Sequence, residues 1–153
     1  MADVFSQLYI HLVFSPKNRK SLIHPSWEER LHKYITGVVQ ERGHKLLAIG
    51  GMPDHIHIFV GLKPAESISE LVKEIKNASN DFVKKEKLTA EKFDWQNGYG
   101  TFSYSRSHID AVCKYILHQK EHHQKKTFRE EFLKLCADFG LEIGRKDCFE
   151  WFE

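Results

Sequence analysis

Apolar and polar positions alternate through residues 4–14, where Leu8, Ile10, Leu12 and Phe14 share one face, and this period of two predicts a strand. After the loop Ser-Pro-Lys-Asn-Arg-Lys the period lengthens. Leu31, Tyr34, Ile35, Val38 and Val39 recur at three- and four-residue steps, predicting a helix over about 27–42. Ser26 and Glu29 have the spacing of a capping box at its start, and Gly43 follows its end. Residues 45–49 and 55–62 are two short apolar strands joined by the turn composition Gly-Gly-Met-Pro-Asp. Ser67 and Glu70 open a second helix with Ile68, Leu71, Val72, Ile75 and Phe82 on its apolar side. Residues 86–98 are mixed and turn-rich, and the glycine-flanked run Tyr99–Ser105 reads as a fourth strand. Ser107 and Asp110 open a third helix, about 108–123. Thr127 and Glu130 open a fourth, about 128–139, with Phe128, Phe132, Leu135, Cys136 and Phe139 on one face and Gly140 behind it.

The order β-α-β-β-α-β followed by two helices predicts an α+β fold. It is the ferredoxin-like split β-α-β with an antiparallel sheet and C-terminal helices, one domain spanning 1–153. That fold hosts many unrelated activities, so function must come from particular side chains. Composition narrows the field. With 41% hydrophobic and 29% charged residues the chain has an ordinary globular make-up, and no apolar run is long enough to cross a bilayer. The first residues lack a basic region and a small-residue cleavage site, and three scattered cysteines without a CxxC exclude a disulfide framework. A cytoplasmic protein without a membrane partner is expected. A net charge of +2 names no partner. The basic groups Lys17, Arg19, Lys20; Lys84, Lys85, Lys87; and Lys125, Lys126, Arg129 each read first as solvated surface. Ten histidines are a stronger departure, and their spacing decides what they mean.

His55 and His57 flank Ile56 in a predicted strand, so their side chains share a face, with Cα atoms roughly 6.5–7 Å apart. Two imidazoles so placed can converge on one ion, or can be two half-buried polar residues. A Mg²⁺ or Mn²⁺ site needs an oxygen-bearing ligand besides. In the third helix the core stripe is Ile109, Val112, Cys113 and Ile116. Tyr115 and Gln119, four residues apart, stack on a common face away from its centre. Docked over the histidine face, that pair offers a hydroxyl nucleophile and an amide oxygen for a metal; undocked, it is a core-edge tyrosine and a solvated glutamine. The overlapping run His118-Gln119-Lys120-Glu121-His122 matches the inverted zinc-peptidase pattern H-x-x-E-H. Only 31 residues follow it, too few for the rest of such an enzyme. His118, His122 and His123 therefore read as exposed or DNA-facing.

Three segments together resemble a known family: Met-Pro-Asp-His-Ile-His (52–57), Trp-Gln-Asn-Gly-Tyr-Gly-Thr-Phe-Ser (95–103) and Tyr-Ile-Leu-His-Gln-Lys-Glu-His-His (115–123). With His-Leu-Val-Phe-Ser-Pro-Lys-Asn-Arg-Lys (11–20), they are similar in kind and order to the single-tyrosine HUH transposases of the insertion-sequence 200/605 group, including the REP-associated tyrosine transposases. The resemblance spans nearly the whole chain. It implies a homodimer that cleaves single-stranded DNA beside an imperfect hairpin, with active sites completed in cis or in trans. Position by position it makes His55 and His57 the metal-binding pair, Gln119 the additional ligand of Mg²⁺ or Mn²⁺, and Tyr115 the nucleophile. Lys17, Arg19 and Lys20 fall in the basic loop expected to meet DNA. Attack by Tyr115 then leaves a 5′-phosphotyrosine and a free 3′-hydroxyl. A non-catalytic ferredoxin-like nucleic-acid module is the alternative, with Tyr99, Phe102 and Tyr104 as base-stacking platforms.

Overall fold

The computed structural model describes residues 4–17 and 22–141. Four strands, β1 (Tyr9–Phe14), β2 (Lys45–Met52), β3 (His55–Gly61) and β4 (Gly100–Tyr104), form one sheet in the order β2-β3-β1-β4, every neighbouring pair antiparallel. Helices α1 (Pro25–Glu41) and α2 (Ile68–Lys85) follow β1 and β3, which is the ferredoxin-like topology expected from the element order. Three further helices close the described chain: α3 (Ile109–Leu117), the single turn α4 (Gln119–His122) and α5 (Phe128–Asp138). Among the described residues no helix is long and apolar enough to cross a membrane.

The central strands β1 and β3 sort their side chains between two faces. Ile10, Leu12 and Phe14 with Ile56, Ile58 and Val60 join Leu31, Ile35 and Val39 of α1 and Leu71, Val72 and Ile75 of α2 in the main core. On the opposite face Ala48 and Phe59 pack with Val112 and Ile116 of α3. α5 covers more of that second face: Phe128 stacks on His55 with ring centroids 4.2 Å apart, and Phe132 stands 6.5 Å from Phe102. The alternation of strand residues thus puts hydrocarbon under α1 and α2 and the histidines under α3 and α5.

Several boundaries differ from the pattern-based expectation, each for a local reason. β1 starts at Tyr9 rather than residue 4, because Tyr9 pairs with Gly61 and Tyr104, the last residues of the neighbouring strands. α1 starts at Pro25, not after Ser26. His24 is the cap, its Nδ1 accepting the Ser26 N–H at 3.0 Å, and a proline in the first turn gives up no helical hydrogen bond. Gly50 and Gly51 belong to β2, and the turn is only Pro53-Asp54. α3 opens through a 3₁₀ turn at 106–108 with no side-chain cap, and it stops at Leu117 instead of running to 123. There His118 leaves helical geometry (φ −105°, ψ 29°). His118 Nδ1 donates to the Lys114 carbonyl at 2.7 Å and Gln119 Nε2 donates to the Tyr115 carbonyl at 3.2 Å. The His118 side chain shares the Lys114 carbonyl with the His118 N–H, the Gln119 side chain takes the Tyr115 carbonyl, and the helix breaks. The caps at Ser67 and Thr127 are as expected, each hydroxyl accepting the N–H three residues on.

Gly50 sets the distance between α3 and the sheet. A β-carbon there would lie 2.2 Å from the Ile116 carbonyl oxygen, inside any van der Waals contact. Only a residue without a side chain lets the last turn of α3, which carries Tyr115, rest on β2. Gly50→Ala should therefore lower stability by about 1–3 kcal/mol, the usual cost of overpacking, in thermal or denaturant unfolding. Gly37→Ala, in α1 where an added β-carbon meets nothing within 4 Å, should instead gain about 0.5–1 kcal/mol from helix propensity. Equal responses at the two glycines would remove the proposed contact.

Candidate active site

The site begins on β3. His55 and His57 are buried on the face under α3 and α5, their rings 5.1 Å apart and nearly perpendicular. Each imidazole is held from behind. The Pro53-Asp54 turn sets the Asp54 carboxylate 2.7 Å from His55 Nδ1, which donates to it and keeps Nε2 pointing inward. His11, on the adjacent central strand, places Nε2 2.7 Å from His57 Nδ1 and stacks its ring at 4.9 Å. His11 was not singled out in the sequence. Its signal was its place among the histidine-face positions of β1, between two residues of the opposite apolar face.

Glu131 of α5 enters the same space. Its Oε1 lies 2.9 Å from His57 Nε2, 3.4 Å from His55 Nε2 and 3.1 Å from His123 Nε2. Its Oε2 accepts the Tyr115 hydroxyl and stands 3.3 Å from His122 Nε2. His55, His57, His123 and Glu131 each offer a ligand atom within 4.8 Å of the others. His122 and His123, expected at the surface, instead turn inward, because the break at His118 and the turn before α5 fold them back over β3. Glu131 carried a signal: it sits three residues after Phe128 and four before Leu135, an acid on the helix's apolar stripe.

The expected nucleophile and ligands meet here. The Tyr115 ring lies 5.6 Å from that of His57 within one chain. Gln119 is buried, with Oε1 3.1 Å from His55 Nε2, although it starts α4 and does not share a continuous helix with Tyr115. A cleft of about 360 Å³ opens beside this cluster, lined by Tyr104, Tyr115, His122, Lys126, Glu131 and Lys134 among others. Of the basic loop, Lys17 is exposed, its N–H bonded to the Asp94 carbonyl at 2.8 Å, while Arg19 and Lys20 lie outside the described residues.

Electrostatics follow from burial among these partners. Burial, and then the facing Glu131 charge, push the Tyr115 phenol well above its usual range. Burial alone would raise the Glu131 carboxyl, but hydrogen bonding to His123 and His57 holds it well below the ordinary carboxylate range. Burial lowers His57, against the attraction of Glu131. The cluster therefore holds an anionic carboxylate, and a protonated tyrosine donates to it.

Two other readings lose their footing. His118 and Glu121 of the H-x-x-E-H run are exposed while His122 turns to Glu131, so they do not gather as a peptidase site. The supposed stacking platform is not one open surface: Phe102 is buried, Tyr99 packs against the core, and the half-buried Tyr104 meets Phe59 and Phe139 edge-on.

Residues 4–119 match the model of a family described as IS200-like transposases. The ISDra2 transposase TnpA of Deinococcus radiodurans is 28% identical over 123 residues, covering 75% of this chain and 87% of that protein. A crystal structure of a provisionally assigned transposase from Deinococcus radiodurans R1 has a TM-score of 0.63 at 21% identity, covering 76% of this chain and 93% of the other. A REP-associated tyrosine transposase bound to a REP hairpin has a TM-score of 0.56 at 17% identity, covering 76% and 70%. At such identities these two structures establish the shared fold. The matched span runs from β1 through Gln119 and contains the histidine pair and Tyr115, and the chain belongs to the family of IS200-like transposases.

Proposed function

We propose that this transposase cuts and rejoins single-stranded DNA at hairpin-marked ends through a 5′-phosphotyrosine at Tyr115, with Mg²⁺ or Mn²⁺ held by His55, His57 and Gln119. The observation that carries the reading is that one carboxylate, Glu131, joins the two halves of the site. The Tyr115 hydroxyl is on one of its oxygens and His57 Nε2 on the other. A tyrosine on a helix and a histidine pair on a strand, remote in sequence, meet beside a cleft lined by Lys126 and Lys134. The family supplies the substrate class, and the similar transposase bound to a REP hairpin supports hairpin DNA as the partner. Residues 1–153 form one such domain, and Lys17, Arg19 and Lys20 meet the DNA backbone.

The donor set suits a divalent ion. His55 Nδ1 is committed to Asp54, so its Nε2 lone pair faces the oxygens of Gln119 and Glu131, an arrangement that a cation relieves. When bound, the metal supplies Lewis-acid polarisation of a phosphate oxygen and offsets charge on the departing oxygen. The remaining work falls to the chain. Tyr115 presents its oxygen to phosphorus, forming the P–O(Tyr) bond as the P–O3′ bond breaks. The phenol gives up its proton to solvent as it attacks, and the 3′-oxygen leaves with the bonding pair and takes up a proton from solvent. One phosphate ester replaces another, so rejoining by the reverse attack needs no ATP. A free tyrosine with a pKa about 10 is only roughly one part in a thousand ionised near neutrality, and burial beside Glu131 makes ionisation harder still. Displacement of Glu131 from the phenol is thus part of activation.

Tyr115→Phe should abolish covalent capture of a cleaved strand while changing stability by only about 1 kcal/mol, since His57 still satisfies the carboxylate. Tyr104→Phe should keep capture, and mass spectrometry of a trapped, digested complex should place the nucleotide on the peptide containing Tyr115. Attachment to another tyrosine would overturn the assignment.

Cleavage should stop in excess chelator, and His57→Ala should lower it about 100-fold or more, because the metal contributes several kcal/mol. Gln119→Ala should be milder, as water replaces a neutral amide. Activity unaffected by chelator would remove the metal from the mechanism.

The protein acts as a homodimer whose subunits each use their own tyrosine and histidines, a reading supported by the meeting of Tyr115 and His57 in one chain. Heterodimers of Tyr115→Phe with His57→Ala should then show no recovery of strand capture. Recovery to about half of the unmodified dimer's activity would establish exchange of the tyrosine helix between subunits.

A further inference from the structure

The α4–α5 turn and α5 lie beyond the residues that match the family model, which end at 119, yet they supply two donors to the histidine site. His123 Nδ1 donates to the Lys126 carbonyl at 2.7 Å, which fixes the ring with its Nε2 inward. That side chain is 5% exposed, and its buried Nε2 lies 3.1 Å from Glu131 Oε1. His55 repeats the arrangement. Its Nδ1 is committed to Asp54, and its Nε2 lone pair faces Glu131 Oε1 at 3.4 Å. Holding two imidazole nitrogens against one carboxylate oxygen calls for a proton or a cation between them. The spacing admits a single cation as well as hydrogen bonds. With metal–ligand bonds of about 2.1 Å, neighbouring ligands of an octahedral ion stand about 3 Å apart and opposite ones about 4.2 Å apart. The separations here are 2.9–3.4 Å between Glu131 Oε1 and the three imidazole nitrogens, with all ligand atoms within 4.8 Å.

We propose that the C-terminal addition completes the metal centre within one chain, with Glu131 Oε1 and His123 Nε2 joining His55 Nε2 and His57 Nε2 as ligands of a single divalent cation. This rests on the metal-dependent reading above and extends it from a pair of histidines to a set with three imidazoles and a carboxylate. With Gln119, five protein donors leave a six-coordinate ion one position for a phosphate oxygen. Imidazole donors move preference away from Mg²⁺ toward Mn²⁺ and the later metals, which makes Mn²⁺ the probe of choice.

The test is Mn²⁺ binding to the full-length chain without DNA, followed by electron paramagnetic resonance. Spin-echo modulation counts the imidazole nitrogens bound to the ion. Three coupled imidazoles are expected in the unaltered protein and two in His123→Ala. Glu131→Gln should weaken binding by at least about tenfold, since loss of even an outer partner of a metal ligand costs about 10–100-fold. Lys134→Ala, a change in the adjoining cleft, should stay within about twofold. Circular dichroism checks the fold of each variant, and if Glu131→Gln does not fold the imidazole count in the unaltered protein decides alone. A count of two, unchanged affinity in both ligand variants, or tighter binding in Glu131→Gln would overturn the proposal, the last by showing the carboxylate to be a plug. His57→Ala separates the two levels. If it too binds Mn²⁺ like the unaltered chain, the metal reading itself fails; if it alone loses the ion, only the contribution of the C-terminal addition fails.

Discussion

A buried carboxylate surrounded by histidines is the constraint around which this molecule is arranged. Glu131 is 2% exposed, and taking an isolated anion that far from water costs several kcal/mol even after relaxation. The surroundings offset that cost by converging on it. His57, His55 and His123 reach one oxygen, Tyr115 and His122 the other, from β3, α3, α4 and the turn before α5. No two of those elements could shift independently without leaving the charge uncompensated. The site is accordingly also the joint that fixes the C-terminal helices to the sheet. The same arrangement restrains the chemistry, because a phenol that donates to a carboxylate is a poor nucleophile until the two separate.

The family relationship gives this joint its context. IS200-like transposases are matched from β1 to the start of α4, and within that span lie the strand, the turn and the helix that carry His55, His57 and Tyr115. Glu131 and His123 come after it. A shared core with its own C-terminal addition is how one fold acquires different control over a common site, since added helices pack on a face the core leaves open. Here the open face is the histidine side of the sheet, and Phe128 on His55 shows how closely the addition is fitted to it.

Much of this was legible in the sequence, and the pattern of what was not has a physical basis. Alternation in β1 and β3 and the stripes of α1 and α2 identified the fold, because burial against a layer leaves a regular period. His55 and His57 were legible because a strand fixes the relation of i and i+2. Tyr115 and Gln119 do both reach the histidine cluster, although the spacing rule that paired them assumes a continuous helix. Side-chain hydrogen bonds to the Lys114 and Tyr115 carbonyls accompany the break in that helix, and such local competition leaves no periodic trace. Glu131, His123 and His11 depend on tertiary packing: each lies on an otherwise apolar or neutral face, and only the meeting of distant elements gives it a role. The ends of β1 and α1 shifted for lesser reasons, the reach of neighbouring strands and a proline suited to a first turn.

The contact between Gly50 and the Ile116 carbonyl has a different kind of consequence. The separation of tyrosine from histidines is set there by atoms that are missing. A gap of this sort contributes no burial and no hydrogen bond, so a ledger of favourable contacts would assign residue 50 almost nothing. Its importance is geometric, as the thickness of a washer is to the parts it spaces. Variation at such a position would be felt in how closely α3 approaches β2, and the register of the site is in that sense inherited through an absence.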